Sequence, residues 1–518
     1  MEFIKNLFRQ KKQNWIIWVL IIIIVLGFGI RIYQLGTQSY WIDEGFTLNA
    51  VMSTLEKGFP ILDSGYKYTR SILNTYLIAG SVSIFGFNPW AARLVSVLFG
   101  SAMIWLIFAL AKKLFNNPRI ALAASFLTAF SYLQIAWSRQ ARMYIQFEFF
   151  FFLSLYLFYL LLEKHSLKRL IFVILSTIAA ILSHEFGFLL IGVYIFGWIA
   201  YNYGPFSSSL IDKLKAKTSS EKFLTKYFWA IFGVLVIIIP LAGIKLYEMF
   251  LSRAVSLFIE DTHSQELFIG GDYIHWLFKL NPLIVILAVV GLVWYIFKNK
   301  NLFQPLYLFI ALVMPFYVII SSTDLFHMRY LMFFYPLLFI FVAMFFVYFV
   351  DLIMKPKKIR KFSAYILVGL LLVFAIFNAN FTMMPTSLWW IGMGSPQPNF
   401  SAAYEAVETL GFDENDVIIS PYTAMDKVYL GQSDYWFPVS LSGHLSEIKN
   451  RKKSLYNNSE RIELFEDLKL LEDQKAYFVF DLMALNRMGH QYLDFLQTHY
   501  KLRFTAPGVW VFRVDKNN

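Results

Sequence analysis

The sequence predicts a polytopic, all-α membrane protein with an α/β domain at its C-terminal end. Three observations carry that reading. Hydrophobic residues make up 58% of the 518 positions and charged residues only 15%, whereas an ordinary soluble domain is about 25% charged. Apolar runs of the length that crosses a hydrocarbon core occur at residues 15–33, 144–162, 228–244, 330–350 and 362–377. Beyond residue 386 acidic side chains return and the apolar runs shorten to strand length.

The first run is too long for the apolar part of a signal peptide, and no small-residue cleavage pattern follows it, so it reads as a retained anchor. Lys5, Arg9, Lys11 and Lys12 precede it and put the N-terminus in the cytoplasm. A second span at 91–110 then ends on Lys112, Lys113 and Arg119. The fourth ends on Lys164, Lys168 and Arg169, and the sixth on the lysines between 213 and 226. The eighth ends on Lys298 and Lys300, and the tenth on the cluster from Lys355 to Lys361. Every second exit is basic, which predicts about eleven spans with the C-terminal domain outside, as in a prokaryotic plasma membrane. Residues 71–87 are apolar, but counting them as a span would move every later basic loop outside. They read as a helix lying on the membrane surface. Residues 170–183 and 186–201 read either as two spans meeting at an external turn or as one long re-entrant hairpin, and two spans preserve the charge pattern. The net charge of +12 is spread over these loops, which argues against a nucleic-acid partner. Cysteine is absent, so disulfides and thiol chemistry are excluded.

The boundaries follow: residues 1–385 form the membrane domain, with an external loop at 35–90, and residues 386–518 the extracytoplasmic α/β domain. Strands are predicted at 417–420, 476–480 and 509–514, and helices at 402–410, 461–471 and 490–496, after a linker at 394–398.

Chemistry concentrates on the predicted outer side. Asp43 and Glu44 are adjacent carboxylates just after the first span, where each must be hydrated, paired or cation-bound. External cations are few before the last domain: Lys57, Lys67, Arg70, Arg139, Arg142, Arg253, Lys279 and Arg329. Helical spacing would put Arg139 and Arg142 on one face. His184 and Glu185 mark one external turn, and His327, Arg329 and Tyr330 another. Arginines at a membrane edge can snorkel to headgroups, and a lone histidine can be an ordinary interfacial residue. One topology, however, puts all of them on the side of Asp43.

The segment from Tyr40 to Phe46 resembles the Asp-Glu motif in the first external loop of the GT-C glycosyltransferases. The nearest branch uses polyprenyl-phosphate sugars and includes protein O-mannosyltransferases and lipid A aminoarabinose transferases. The stretch from Phe85 to Leu94 resembles that family's surface helix running into its second span. Ser138 to Tyr144 resembles its Arg-Met-Tyr segment, Ser183 to Glu185 its external His turn, and Arg329 to Leu331 with Pro336 its late Arg-Tyr segment. The resemblance implies a GT-C fold and a sugar transfer with inversion. The donor would be polyprenyl-phosphate-linked and the acceptor an extracytoplasmic protein, lipid or polysaccharide. It implies Asp43 as catalytic base and Glu44 as supporting acid. Lys67, Arg70, Arg139, Arg142, Tyr144, His327, Arg329 and Tyr330 would lie at the donor phosphate or substrate, although Tyr66 to Arg70 departs from the family's Pro-rich pattern. A divalent cation at Glu44, His184 or Glu185 could share the phosphate charge. Two rival readings are a transporter or flippase of lipid-linked saccharides and a non-catalytic receptor. The first should show ionisable residues or paired Gly/Pro breaks deep in the spans.

Overall fold

The structure, a computed structural model, describes residues 2–203, 282–299, 302–322, 328–354, 363–377, 398–437, 452–454, 456–462, 474–487 and 490–514. The expected span at 228–244, the basic loops at 213–226 and 355–361, Arg253, Lys279 and His327 lie outside the described residues. So do most of the 394–398 linker and of the 461–471 helix.

In chain order the helices are α1 (Glu2–Ile32), α2 (Ile42–Lys57), α3 (Ile72–Phe85), α4 (Pro89–Phe115), α5 (Pro118–Phe130), α6 (Tyr132–Ser138), α7 (Tyr144–Glu163), α8 (Leu167–Ser183) and α9 (Leu189–Tyr203). Then come α10 (Pro282–Lys298), α11 (Phe303–Ser322), α12 (Tyr335–Ile353) and α13 (Ser363–Phe377), with short 3-10 turns at Glu185–Phe188 and Met328–Phe334. The last region holds α14 (Phe400–Thr409), β1 (Val417–Ser420), α15 (Thr423–Leu430), β2 (Tyr435–Trp436), β3 (Glu460–Arg461), β4 (Ala476–Asp481), α16 (Leu482–Arg487), α17 (His490–His499), β5 (Lys501–Ala506) and β6 (Val509–Val514). The chain packs as two compact units.

The first unit comprises Met1–Arg31, Leu98–Ser138 and Met143–Met383. Among the described residues, five helices are long and apolar enough to cross a membrane: those over Trp15–Ile32, Pro89–Phe115, Tyr144–Glu163, Glu185–Asn202 and Met332–Ile353. The pair α5 and α6, bent by 58°, would make a sixth. Shorter apolar helices occupy Pro282–Lys298, Phe303–Ile319 and Ser363–Ala375. The chain is an integral membrane protein, and the total of eleven spans stays an expectation.

The bend is chemically supported. α5 is capped by Asn117, whose side chain accepts from Arg119 N, and Pro118 fills its first turn. It ends at Ser131, where its last carbonyls lose their helical donors. Arg31, fully buried, donates to Ala129 O at 2.8 Å and Thr128 O at 3.3 Å, and its Nε reaches Ser138 Oγ at 3.1 Å. A second buried polar pair joins Gln134 Nε2 to Glu148 Oε2 at 3.1 Å. Arg31 and Glu148 are thus buried ionisable groups within apolar spans. Arg31 closes a broken helix there. At another point a bidentate pair joins Arg119 to Asp351 of α12 at 2.8 and 2.9 Å.

The second unit comprises Ile32–Val97, Arg139–Arg142 and Met384–Asn518. Its sheet runs β3-β2-β1-β4-β6-β5. β3, β2, β1 and β4 are parallel neighbours, whereas β6 and β5 add antiparallel. β4 reads Ala-Tyr-Phe-Val-Phe-Asp and is buried throughout, as a central strand covered on both faces requires. α3, at 14 residues, spans about 21 Å and falls short of a hydrocarbon core of about 30 Å.

α15 packs on α2. Gly45 of α2 allows this, since a Cβ there would collide with the Met425 sulfur. Asn49 Nδ2 then donates to Ala424 O at 2.8 Å, and Tyr429 Oη accepts from Tyr40 N at 3.1 Å. Lys427 pairs with Asp63. Beneath this contact Asp426 is buried and accepts from Tyr404 Oη at 2.6 Å, Ser420 Oγ at 2.6 Å and Ser433 Oγ at 3.0 Å. Burial pushes its carboxyl up to about 7, against the opposing effect of these hydroxyls. The folded chain therefore holds a proton that the unfolded chain, titrating near 3.8, releases earlier. The stability this contributes is complete below that lower value and is lost as pH rises to about 7, by up to about 1.4 kcal/mol per pH unit. Asp426→Asn, which imitates the protonated form, is expected to flatten this fall in thermal-unfolding series between pH 5 and 8. A parent protein whose stability rises over that range would contradict it.

Candidate active site

α2 brings the paired acids to the start of a helix, where its unpaired N–H groups favour negative charge. The two carboxylates then diverge. Glu44 is 1% exposed. Its Oε1 accepts from Arg93 Nε at 2.8 Å and Ala141 N at 2.7 Å, and its Oε2 from Arg93 Nη2 at 2.8 Å and Trp41 N at 2.9 Å. Arg93, equally buried, also donates to the carbonyls of Leu35 (3.1 Å), Gln38 (2.8 Å) and Ser39 (2.9 Å), and its guanidinium lies 5.2 Å from the Tyr40 ring centroid. All five guanidinium donors are thereby used. Glu44 thus ties the loop before α2 to α4 and to the Arg139–Arg142 turn, and its geometry is that of a positioning residue. With both oxygens doubly engaged it is also ill placed to ligate a cation.

Asp43 keeps its carboxylate partly open, at 18% side-chain exposure, with Arg142 Nη2 3.5 Å from Oδ2. Arg142 is held from the other side: its Nη1 donates to Asp43 O at 2.9 Å, Thr47 Oγ1 at 2.7 Å and Tyr68 Oη at 3.2 Å. Tyr68 is the buried end of a hairpin that pairs Ile61 with Lys67. Lys67 and Arg70 are exposed on that hairpin.

Arg139 and Arg142 do not share a helical face, contrary to the expectation from their spacing. α6 ends at Ser138 and α7 begins at Tyr144, so both arginines lie in a non-helical turn, with Arg142 N bonded to Gln140 O at 2.8 Å. They point to different tasks. Arg139 spends its terminal nitrogens on the carbonyls of Tyr33 and Gln34. Burial, with Arg93 adding repulsion, lowers it to about 10. Arg142 reaches Asp43.

The remaining candidates gather in the first unit. Tyr144, Phe147, His184, Phe186, Arg329, Tyr330, Met332 and Phe333 line one small cavity. The Arg329 guanidinium lies 5.8 Å from the Tyr144 centroid and 5.7 Å from that of Tyr330. His184 is buried, accepts from Phe186 N at 3.1 Å through Nδ1, and packs on the rings of Tyr144 and Phe147 at 5.7 and 5.4 Å. Glu185 opens the 3-10 turn beside it. Among the described residues no group of three His, Asp or Glu side chains is placed to hold a metal ion.

Residues 69–213 match the family model for dolichyl-phosphate-mannose-protein mannosyltransferases. An uncharacterized protein of Aquifex aeolicus (strain VF5) is 27% identical over 177 residues. That match covers 33% of this chain, which spans about a third (35%) of that curated relative. The crystal structure of ArnT from Cupriavidus metallidurans in the apo state aligns at a TM-score of 0.57 and 12% identity, over 98% of this chain and 99% of that one. The same ArnT bound to undecaprenyl phosphate gives 0.56 at 13%, over 97% and 98%. The Archaeoglobus fulgidus oligosaccharyltransferase complex with Zn and sulfate gives 0.54 at 13%, over 95% and 72%. The chain has the GT-C glycosyltransferase fold.

The segment matched by the family model holds Arg70, Arg93, Arg139, Arg142, Tyr144, His184 and Glu185, whereas Asp43, Glu44 and Arg329 lie outside it. Arg93 is the site residue that sequence reasoning passed over. Its signal was present: a guanidinium in the first turns of an apolar span needs an anionic partner.

Proposed function

We propose that this chain is a membrane glycosyltransferase moving a sugar from a polyprenyl-phosphate carrier to an extracytoplasmic acceptor, with Asp43 as the base. The observation that carries this reading is the Asp43 carboxylate, partly open beside the Arg142 guanidinium at 3.5 Å, on a helix anchored by the buried Glu44–Arg93 pair. The GT-C fold supports the class, and the family described as using dolichyl-phosphate-mannose supports the type of donor.

The chemistry balances without a second acid. Asp43 takes the acceptor hydroxyl proton as the acceptor oxygen bonds to the anomeric carbon. The bond from that carbon to the phosphate oxygen breaks, and its electron pair leaves on the lipid phosphate. Attack opposite the leaving group inverts the centre. Glycosidases protonate a poor leaving group, but a phosphate needs only positive charge. An arginine supplies such charge through its planar set of donors, and in the first unit Arg329, with Tyr144, His184 and Tyr330 around it, is the candidate for binding a phosphate. Arg142 orients Asp43 through the backbone and Thr47. The acceptor is a protein, lipid or polysaccharide hydroxyl, and the N-terminus lies in the cytoplasm.

Mass spectrometry of lipids co-purifying with the protein tests this reading. A polyprenyl phosphate, bare or carrying a sugar, is the expected result. A preparation that holds only phospholipid and does not take up added undecaprenyl phosphate would sink it.

A further inference from the structure

We propose that Tyr456, supplied by the last region of the chain, is an acceptor-binding residue of the Asp43 site, holding a hydroxyl-bearing acceptor through its phenol oxygen. This rests on the reading of Asp43 as base. Tyr456 is about 410 residues from Asp43 in sequence, yet several contacts bring it there. Its ring stacks on Phe46 of α2, with centroids 4.1 Å apart and planes 10° from parallel. It packs against the small cluster of Ala50, Leu62 and Tyr68. Tyr68 is the residue whose hydroxyl accepts from Arg142. The Tyr456 phenol interacts electrostatically with Tyr68, Asp43, Arg142 and Tyr66.

The turn that presents this ring is built for one position. Asn457 Nδ2 donates to Thr423 O at 2.9 Å, and Ser454 Oγ meets Thr423 Oγ1 at 2.8 Å. Asn458 takes the left-handed conformation at φ 67, which asparagine accepts more readily than most residues. Thr423 opens α15, the helix packed on α2, so the turn and the acids share one support. The ring is neither sealed in the core nor free in solvent. Burial, with Tyr68 and Asp43 adding to it, raises the phenol's pKa, so it stays a hydrogen-bond donor at neutral pH.

A phenol confined beside a base suits recognition of the incoming substrate. The rival role is packing alone, and Tyr456→Phe separates the two because it keeps the ring and removes only the oxygen. Transfer of radiolabelled sugar would be measured from a fixed amount of donor lipid extracted from cells lacking the chain. Their envelope fraction would be titrated in as the acceptor source. Tyr456→Phe should raise the apparent acceptor KM about three- to tenfold, the worth of one hydrogen bond, with kcat within about twofold. Undecaprenyl phosphate binding and thermal unfolding should stay at the parent's values. An unchanged acceptor KM, with Asp43→Asn inactive, overturns the role of Tyr456 and leaves the base intact. Near-normal transfer by Asp43→Asn overturns both.

Discussion

Asp43→Asn is expected to lower sugar transfer by about 10²- to 10⁴-fold, the usual share of a general base, while thermal unfolding stays close to the parent's. The two halves of this result have separate causes. Asparagine has the shape of aspartate but cannot accept the acceptor's proton. Two contacts that fix residue 43 run through its backbone: its carbonyl accepts from Arg142 Nη1 at 2.9 Å and from Thr47 Oγ1 at 3.3 Å, and the substitution leaves both in place. The ion pair lost with Arg142, at 3.5 Å and with a partly exposed carboxylate, is worth about 1 kcal/mol or less. Activity should collapse while the fold persists. Transfer assays and melting curves on the same preparation check both. An active, folded Asp43→Asn would remove the base from the mechanism. An inactive one that melted far below the parent would show that the side chain serves structure.

The neighbouring residue marks the limit of what a sequence makes visible. Asp43 and Glu44 stand out together, but consecutive residues of a helix point about 100° apart, so one turns to an open site and the other into the core. Nothing local says which. The decision lies with Arg93, in a different helix, and with Ala141, whose N–H arrives from a turn near residue 140. The Arg139–Arg142 spacing misled for a similar reason: the pattern of three assumes a continuing helix, and the helix stops at Ser138. Features governed by local physics were legible. The apolar runs at 15–33 and 144–162 correspond to helices over Trp15–Ile32 and Tyr144–Glu163, and the β-rich runs at 476–480 and 509–514 to β4 and β6. The two-residue strands β2 and β3 were not, because strands that short carry no periodicity and exist through their neighbours. The grouping of Tyr144, His184, Arg329 and Tyr330 around one cavity was anticipated only as a shared side of the membrane.

The Glu44–Arg93 pair should show the largest effect on stability, and its response to double substitution should be unusual. Removing one partner of a buried ion pair typically costs about 3 to 5 kcal/mol, because the survivor is left charged and unmatched. Arg93→Met and Glu44→Gln are each expected to lower stability on that scale, Arg93→Met the more, since the single amide oxygen of Gln can still accept from Arg93 and from one of the two backbone donors, Trp41 N or Ala141 N. Combining them should cost clearly less than the sum, the mark of direct coupling. Full recovery is not expected, although some buried pairs can be exchanged for apolar residues at no loss. Here Arg93 also serves the carbonyls of Leu35, Gln38 and Ser39. A methionine leaves those acceptors buried without donors, at about 1 to 3 kcal/mol each where water cannot reach them. The same carbonyls shape the loop that leads into α2, so the double variant should lose transfer even where it still folds. Equilibrium unfolding of the four proteins, with transfer measured alongside, reads both effects. Strictly additive losses would mean that the pair does not act as one unit, and a double variant with full activity would mean that Asp43 is positioned by something else.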